Sequence, residues 1–253
     1  MGLPVSLALR GRHEADPPAR EAWAAVMASL RDADQVFSTY RADSWISRLG
    51  RGEVTVGECP PEVAEVLAIG ERAREASGGA FDVRRGGMLD PAGVVKGWAV
   101  ERASAALREL PETDFCLSGG GDLVAHVADP DAPDWRIGVE DPHDPARVVA
   151  VVPLRDGAVA TSGLAHRGAH VVDARTGRAP TSLVSVTAVA AGLTTADVAA
   201  TTALALDDEG PAWLRRRAGI RSAVLVWADG RAEVLSAGLV PDATTPIRCG
   251  GMS

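Results

Sequence analysis

Residues 113–127 read TDFCLSGGGDLVAHV. Two apolar, strand-like halves flank the consecutive glycines Gly119, Gly120 and Gly121. Glycines inside a strand weaken it, so this point is expected to be a bulge or a place where a ligand comes close. It lacks the GxGxxG spacing and the following helix of a dinucleotide fingerprint. Downstream, 135–140, 147–153, 157–161, 168–173 and 182–191 also suit strands. Strands cluster here instead of alternating with helices. The expected fold is therefore α+β, with mixed or antiparallel sheets and packed helices, rather than a doubly wound sheet.

Upstream, Val5, Leu7 and Leu9 alternate as a half-buried strand. Pro17-Pro18 open a helix with Trp23, Val26, Met27 and Leu30 on one face. A polar loop at 37–52 holds a short helical turn after Asp43. A second helix runs from about Pro61 to Ser77 and is stopped by Gly78-Gly79. A glycine-rich loop then leads into a helix over about 95–110. Beyond the strands come helices over about 194–206 and 209–218, and a hairpin over 221–235 turned at Asp229-Gly230.

Composition narrows the function classes. The chain has 253 residues, 46% hydrophobic and 24% charged, which suits a globular protein with a sizeable core. Its net charge of -8 gives no basic footprint for nucleic acid. No apolar run approaches the ~18 residues of a membrane span. No export signal is seen in this sequence, so a cytoplasmic protein is expected, or an exported one whose leader was removed. Cys59, Cys116 and Cys249 are odd in number and widely spaced, and read as buried or free thiols. Lys96 is the only lysine, against 25 arginines, and there is no asparagine. In so arginine-rich a chain, a single ammonium marks either a position where a guanidinium does not fit or simply the place where one lysine happens to fall.

Three further loops can carry chemistry. Residues 77–82 and 90–97 form a glycine-rich approach to a helix N-terminus, which offers N–H groups to phosphate; Lys96 adds a point charge. Such loops are also ordinary turns. Residues 160–163 and 170–177 surround His170, either a general base at a strand end or a satisfied structural histidine. Asp197 and Thr201 share one face of a helix's first turn at i, i+4. Carboxylate and hydroxyl are hard oxygen ligands suited to Mg2+, or the segment is simply a capped helix start.

In order, these segments resemble the ApbE-type FAD:protein FMN transferases. The resemblance also takes in Met1-Gly2, 37–41 with Asp43-Ser44 and 46–48, 135–139, and 185–187, and so spans nearly the whole chain. It implies one domain over 1–253, made of two lobes with the nucleotide site between them. It also implies a Mg2+-dependent transfer of FMN from FAD to a Thr or Ser hydroxyl of an acceptor protein, with release of AMP. Asp197, Thr201 and a carbonyl near Gly93 would ligate Mg2+. Met1, Tyr40, Ala80, Phe81, Asp82, Asp90, Lys96 and Val171 would line the FAD site, and His170 would assist deprotonation of the acceptor. Rival readings are an FAD pyrophosphatase, with water as acceptor, and a non-catalytic flavin-binding protein. The chain departs from the family pattern in three ways. Only seven residues separate Asp82 from Asp90, where larger relatives carry a long insertion. Ser118 and Asp122 stand at usual Asn positions, and Ala174 where Pro is usual.

Overall fold

The computed structural model describes residues 2–164, 171–235, 240–241 and 247–250. Its centre is an eight-stranded sheet. From one edge the strands are β1 (Val5–Gly11), β4 (Thr113–Gly119), β5 (Asp122–His126), β8 (Asp156–Gly163), β9 (Leu183–Ala190), β10 (Ile220–Trp227), β11 (Ala232–Leu235) and β13 (Ile247–Gly250). Neighbours are antiparallel except β11 and β13, which run parallel. A smaller sheet has the order β12 (Val240–Pro241), β7 (Asp144–Leu154), β6 (Trp135–Asp141). A hairpin pairs β2 (Arg84–Arg85) with β3 (Met88–Leu89). The α+β expectation is borne out.

Period-two alternation sorts the large sheet's side chains between two cores. Phe115 and Leu117 of β4, Val124 of β5, and Ala158 and Ala160 of β8 face a helical layer. That layer contains α1 (Pro17–Phe37), α2 (Trp45–Gly50), α3 (Pro61–Ala76) and α4 (Ala92–Arg108). Ala188, Ala223 and Leu225 pack on α5 (Leu193–Ala205) and α6 (Gly210–Arg215). The intervening residues Leu123, Ala125, Val159, Val189, Val224 and Val226 point the other way, onto Val139, Val149, Val152 and Leu154 of the small sheet. The result is three layers: helices, large sheet, small sheet.

Local chemistry explains the element ends. Asp16 caps α1 by accepting the Ala19 N–H at 3.2 Å, and Pro17 and Pro18 occupy the first turn. Gly78 and Gly79 take positive φ after α3.

Three expectations need correction. The glycines of 119–121 form no bulge: Gly120 and Gly121, at φ 63° and 92°, make a two-residue turn between β4 and β5, and this turn needs φ > 0 at both positions. Helix α4 begins at Ala92, about one turn earlier than expected, because Asp90 Oδ1 accepts the Ala92 N–H at 3.0 Å. Gly93 is thus helical, not loop, and Lys96 lies a turn inside the helix. Residues 171–173, the described end of the strand expected over 168–173, are irregular. Asp173 N–H is used by Arg178 O at 2.9 Å and Ala174 N–H by Ala80 O at 2.9 Å, so this backbone closes a turn and docks on another loop.

Asp207, between α5 and α6, sits at φ 49°, a region tolerated by Asp. Its carboxylate accepts from Leu183 N (2.7 Å), Thr181 N (2.8 Å) and Ser182 N (3.0 Å), which fixes the entry to β9. Asp207→Ala orphans these donors and is expected to cost about 2–4 kcal/mol, with Asp207→Asn costing less than half of that. Urea unfolding of both variants checks the ordering.

Candidate active site

A cleft of about 630 Å³ opens where α4, α5 and the ends of β8 and β9 meet the small sheet. That volume lies within the range of small-molecule and cofactor sites. Its wall gathers Ala80, Phe81, Asp82, Asp90, Gly93, Lys96, Val171, Asp197 and Thr201. All are residues singled out from the sequence. Tyr40 is not brought to this wall; it stands 99% exposed between α1 and α2. Met1 and His170 lie outside the described residues.

Two helices approach each other closely to build the centre. The Gly97 N–H of α4 donates to Asp197 Oδ2 of α5 at 2.9 Å. A Cβ at Gly97 would meet Asp197 Cβ at 2.8 Å and Leu193 O at 2.9 Å, so only glycine permits this approach. Glu101 strengthens the contact from one turn on, accepting the Thr194 N–H at 2.8 Å at the start of α5. On the loop side, Ser77 Oγ accepts the Phe81 N–H at 3.0 Å. The Phe81 ring closes on Gly93, where a Cβ would stand 3.0 Å from it. Asp82 Oδ1 accepts the Arg84 N–H at 2.7 Å and shapes the β2–β3 hairpin at the rim.

Lys96 Nζ lies 2.6 Å from Asp122 Oδ2 and 3.2 Å from Asp197 Oδ1. Both carboxylates are almost fully buried. Burial pushes the Asp197 carboxyl up to about 7; Lys96 pulls against this and Asp122 pushes with it. Burial alone would lower the Lys96 ammonium, but the two carboxylates outweigh it and leave it raised. Two acids thus share one ammonium, a local excess of negative charge in a cleft wall. Beside them, Ser162 Oγ and Thr201 Oγ1 are hydrogen-bonded at 2.8 Å, and Thr161 Oγ1 meets Thr187 Oγ1 at 2.8 Å. Thr161 N–H donates to Asp122 Oδ1 at 3.0 Å.

This donor set fits Mg2+: hard oxygens only, a carboxylate and hydroxyls one helical turn apart, with surplus negative charge. Among the described residues no group of three or more His, Cys, Asp or Glu is placed to hold a metal ion of any kind. Mg2+ is commonly held by one or two carboxylates plus substrate phosphates, so a larger acidic cage is not required.

Ser162 and Ser185 also belong to this wall, and Asp122 lies buried behind it against Lys96, although sequence reading did not place them in the site. For Asp122 the signal was its position directly after the glycine turn. For Ser162 it was the 160–163 segment. Cys116 is a partly buried thiol raised to about 11 by desolvation, which leaves it unreactive at neutral pH.

Fold and cleft together define an α+β protein with a polar, acid-centred small-molecule site. The sequence pattern of the ApbE family matches residues 1–90 and 84–225, and the chain belongs to that family. It is 27% identical over 207 residues to an FAD:protein FMN transferase of Rhodobacter capsulatus, covering 78% of this chain and 36% of that protein. To the FAD:protein FMN transferase of Vibrio cholerae it is 29% identical over 131 residues, 48% of this chain and 39% of the relative. The matches therefore span little more than a third of these relatives' length. The fold is that of the apo flavinyl transferase ApbE of Pseudomonas stutzeri (TM-score 0.72, 22% identity, 95% and 94% of the two chains). It is equally that of the ApbE protein of Thermotoga maritima (TM-score 0.76, 20% identity, 96% and 94%). Among the described residues no helix is long and apolar enough to cross a membrane.

Proposed function

We propose that this chain is a single domain of two lobes that transfers FMN from FAD to a Thr or Ser hydroxyl of an acceptor protein and releases AMP. The observation that carries the reading is the buried Lys96–Asp122–Asp197 cluster beside the Ser162–Thr201 hydroxyl pair, at the wall of a nucleotide-sized cleft. Asp197, Thr201 and the Gly93 carbonyl would hold Mg2+, which when bound neutralises pyrophosphate charge. Lys96 fixes the orientation of both carboxylates. Ala80, Phe81 and Val171 give the flavin an apolar wall, and Asp82 and Asp90 stiffen the loops around it.

In the transfer, the acceptor oxygen forms a bond to the FMN phosphorus while the pyrophosphate P–O bond to AMP breaks. Positioning and charge neutralisation carry most of such a reaction. His170 takes the acceptor's proton. His170→Ala is accordingly expected to bind FAD normally but to transfer about 10²–10⁴-fold more slowly, and to lose the acid limb of the wild-type pH–rate profile. A structural histidine would instead lower FAD affinity and melting temperature and leave the profile of the residual activity unchanged. The test of the whole reading is a mass gain of one FMN on a candidate acceptor co-expressed with the chain. Steady release of FMN and AMP from FAD without acceptor would replace it with a pyrophosphatase, and tight FAD binding without turnover by a flavin carrier.

A further inference from the structure

A second groove, of about 660 Å³, shares no lining residue with the cleft. It lies against α3, α4, α5 and α6 and takes the side of α4 opposite Gly93 and Lys96. Trp98 and Trp213 form its aromatic walls, with Ile69, Val198 and Ile220 as apolar floor. Three arginines line it: Arg72, Arg102 and Arg217. Arg102 lies over the Trp98 ring at 5.2 Å and Arg217 over the Trp213 ring at 4.9 Å.

Among the described residues none of the three arginines makes a hydrogen bond or an ion pair. Elsewhere in the chain Arg51, Arg74 and Arg175 are each locked onto a carboxylate. Arg217 Nε is in addition buried with no hydrogen-bond partner. Packed on the Trp213 ring, Arg217 is held along the groove wall, and it is its terminal nitrogens that are left to take an acceptor. The groove's two acids are already engaged: Glu65 Oε1 accepts the Trp98 indole N–H at 3.0 Å, and Glu101 accepts from Thr194. Three positive charges against two negative leave a surplus of one.

We propose that this groove is a second ligand site, specific for an aromatic carboxylate. Its ring would lie among the tryptophans and the stacked guanidiniums, and its single negative charge would meet the terminal nitrogens of Arg217 and Arg102. Planar guanidinium matches carboxylate geometry bidentately and tolerates an aromatic neighbour. One surplus charge fits a monoanion better than a phosphate dianion.

The test is calorimetric titration of the full chain with 2-naphthoate, its neutral amide and AMP, none of which requires FMN transfer as a readout. The expected result is saturable one-to-one binding of 2-naphthoate, weakened about 10–100-fold in Arg217→Gln and in Arg102→Gln and to a similar degree for the amide. Asp197→Asn, a change in the other cleft, should leave this binding intact. Thermal melts of each variant separate loss of the site from loss of fold. Failure of 2-naphthoate to saturate at millimolar concentration, or full affinity in both arginine variants, would overturn the proposal. So would loss of binding in Asp197→Asn, or tighter binding of AMP at the arginine-dependent site.

Discussion

Asp197→Asn is expected to slow the proposed FMN transfer by about 10³-fold or more, with little net change in stability. The two effects have one origin. In the folded chain Asp197 and Asp122 share the single Lys96 ammonium, and Asp197 is pushed up by burial. An amide at this position still offers an oxygen to the Gly97 N–H and removes the surplus buried charge, but it turns its NH2 onto the Lys96 ammonium, donor against donor, and the two changes offset each other. Lys96 keeps Asp122 at 2.6 Å. What disappears is the charged oxygen that a hard divalent cation needs. Turnover at limiting Mg2+, read beside a thermal melt, checks both halves. A variant that turns over like wild type at limiting Mg2+ removes Asp197 from the metal site, and a collapse of the melt makes it structural.

Lys96→Met should be the most destabilising of the substitutions considered. It leaves two almost fully buried carboxylates facing each other without the cation between them. Breaking a buried ion pair from one side costs about 3–5 kcal/mol. For a chain of this size that corresponds to a fall in melting temperature of roughly 6–20 °C. Adding Asp122→Asn to Lys96→Met should recover part of the loss, because one of the opposed charges is then gone. Lys96→Arg keeps the charge, but its larger planar fork must fit where one Nζ reaches two carboxylates, so activity and stability should both fall. Urea unfolding of the three variants, with transfer rates, gives the order. Equal stability of Lys96→Arg and wild type would reduce the solitary lysine to an accident of composition.

Much of this arrangement was legible in the sequence, for identifiable reasons. Alternation at Val5, Leu7 and Leu9 and the helix stop at Gly78-Gly79 are local signals, and the strand and helix formed where those signals fell. Asp197 and Thr201 could be paired because helical spacing is fixed. The misreadings are tertiary in origin. The start of α4 depends on a cap from Asp90, a residue that also read as a ligand-loop acid. The backbone at 171–174 docks onto Ala80, a partner more than ninety residues away that no window of sequence reveals. Asp122 met Lys96 only through the crossing of a sheet turn and a helix. Tyr40, conspicuous as the only tyrosine, is fully exposed instead of facing the cleft. The arginine groove drew no signal at all, since its residues come from four helices and the segment that leads into β10, and share no motif.

The edge position of β1 has a consequence for how the chain is made. Val5 through Gly11 pair with Gly119 through Thr113 of β4, residue against residue. During synthesis at about 5–20 residues per second, β1 waits roughly 5–20 s before β4 has emerged. All four helices from α1 to α4 are translated in that interval. Phe37 of α1 and Trp98 of α4, ring centroids 5.4 Å apart, can meet first, so the helical layer condenses ahead of the sheet it will cover. Until β4 arrives, β1 carries Val5, Leu7 and Leu9 on a strand with no hydrogen-bonding neighbour, the kind of edge that recruits other chains. A nascent chain stalled with α4 outside the ribosome and β4 still within it should therefore be the most aggregation-prone length, and emergence of residues 113–119 should end that vulnerability within one pairing step.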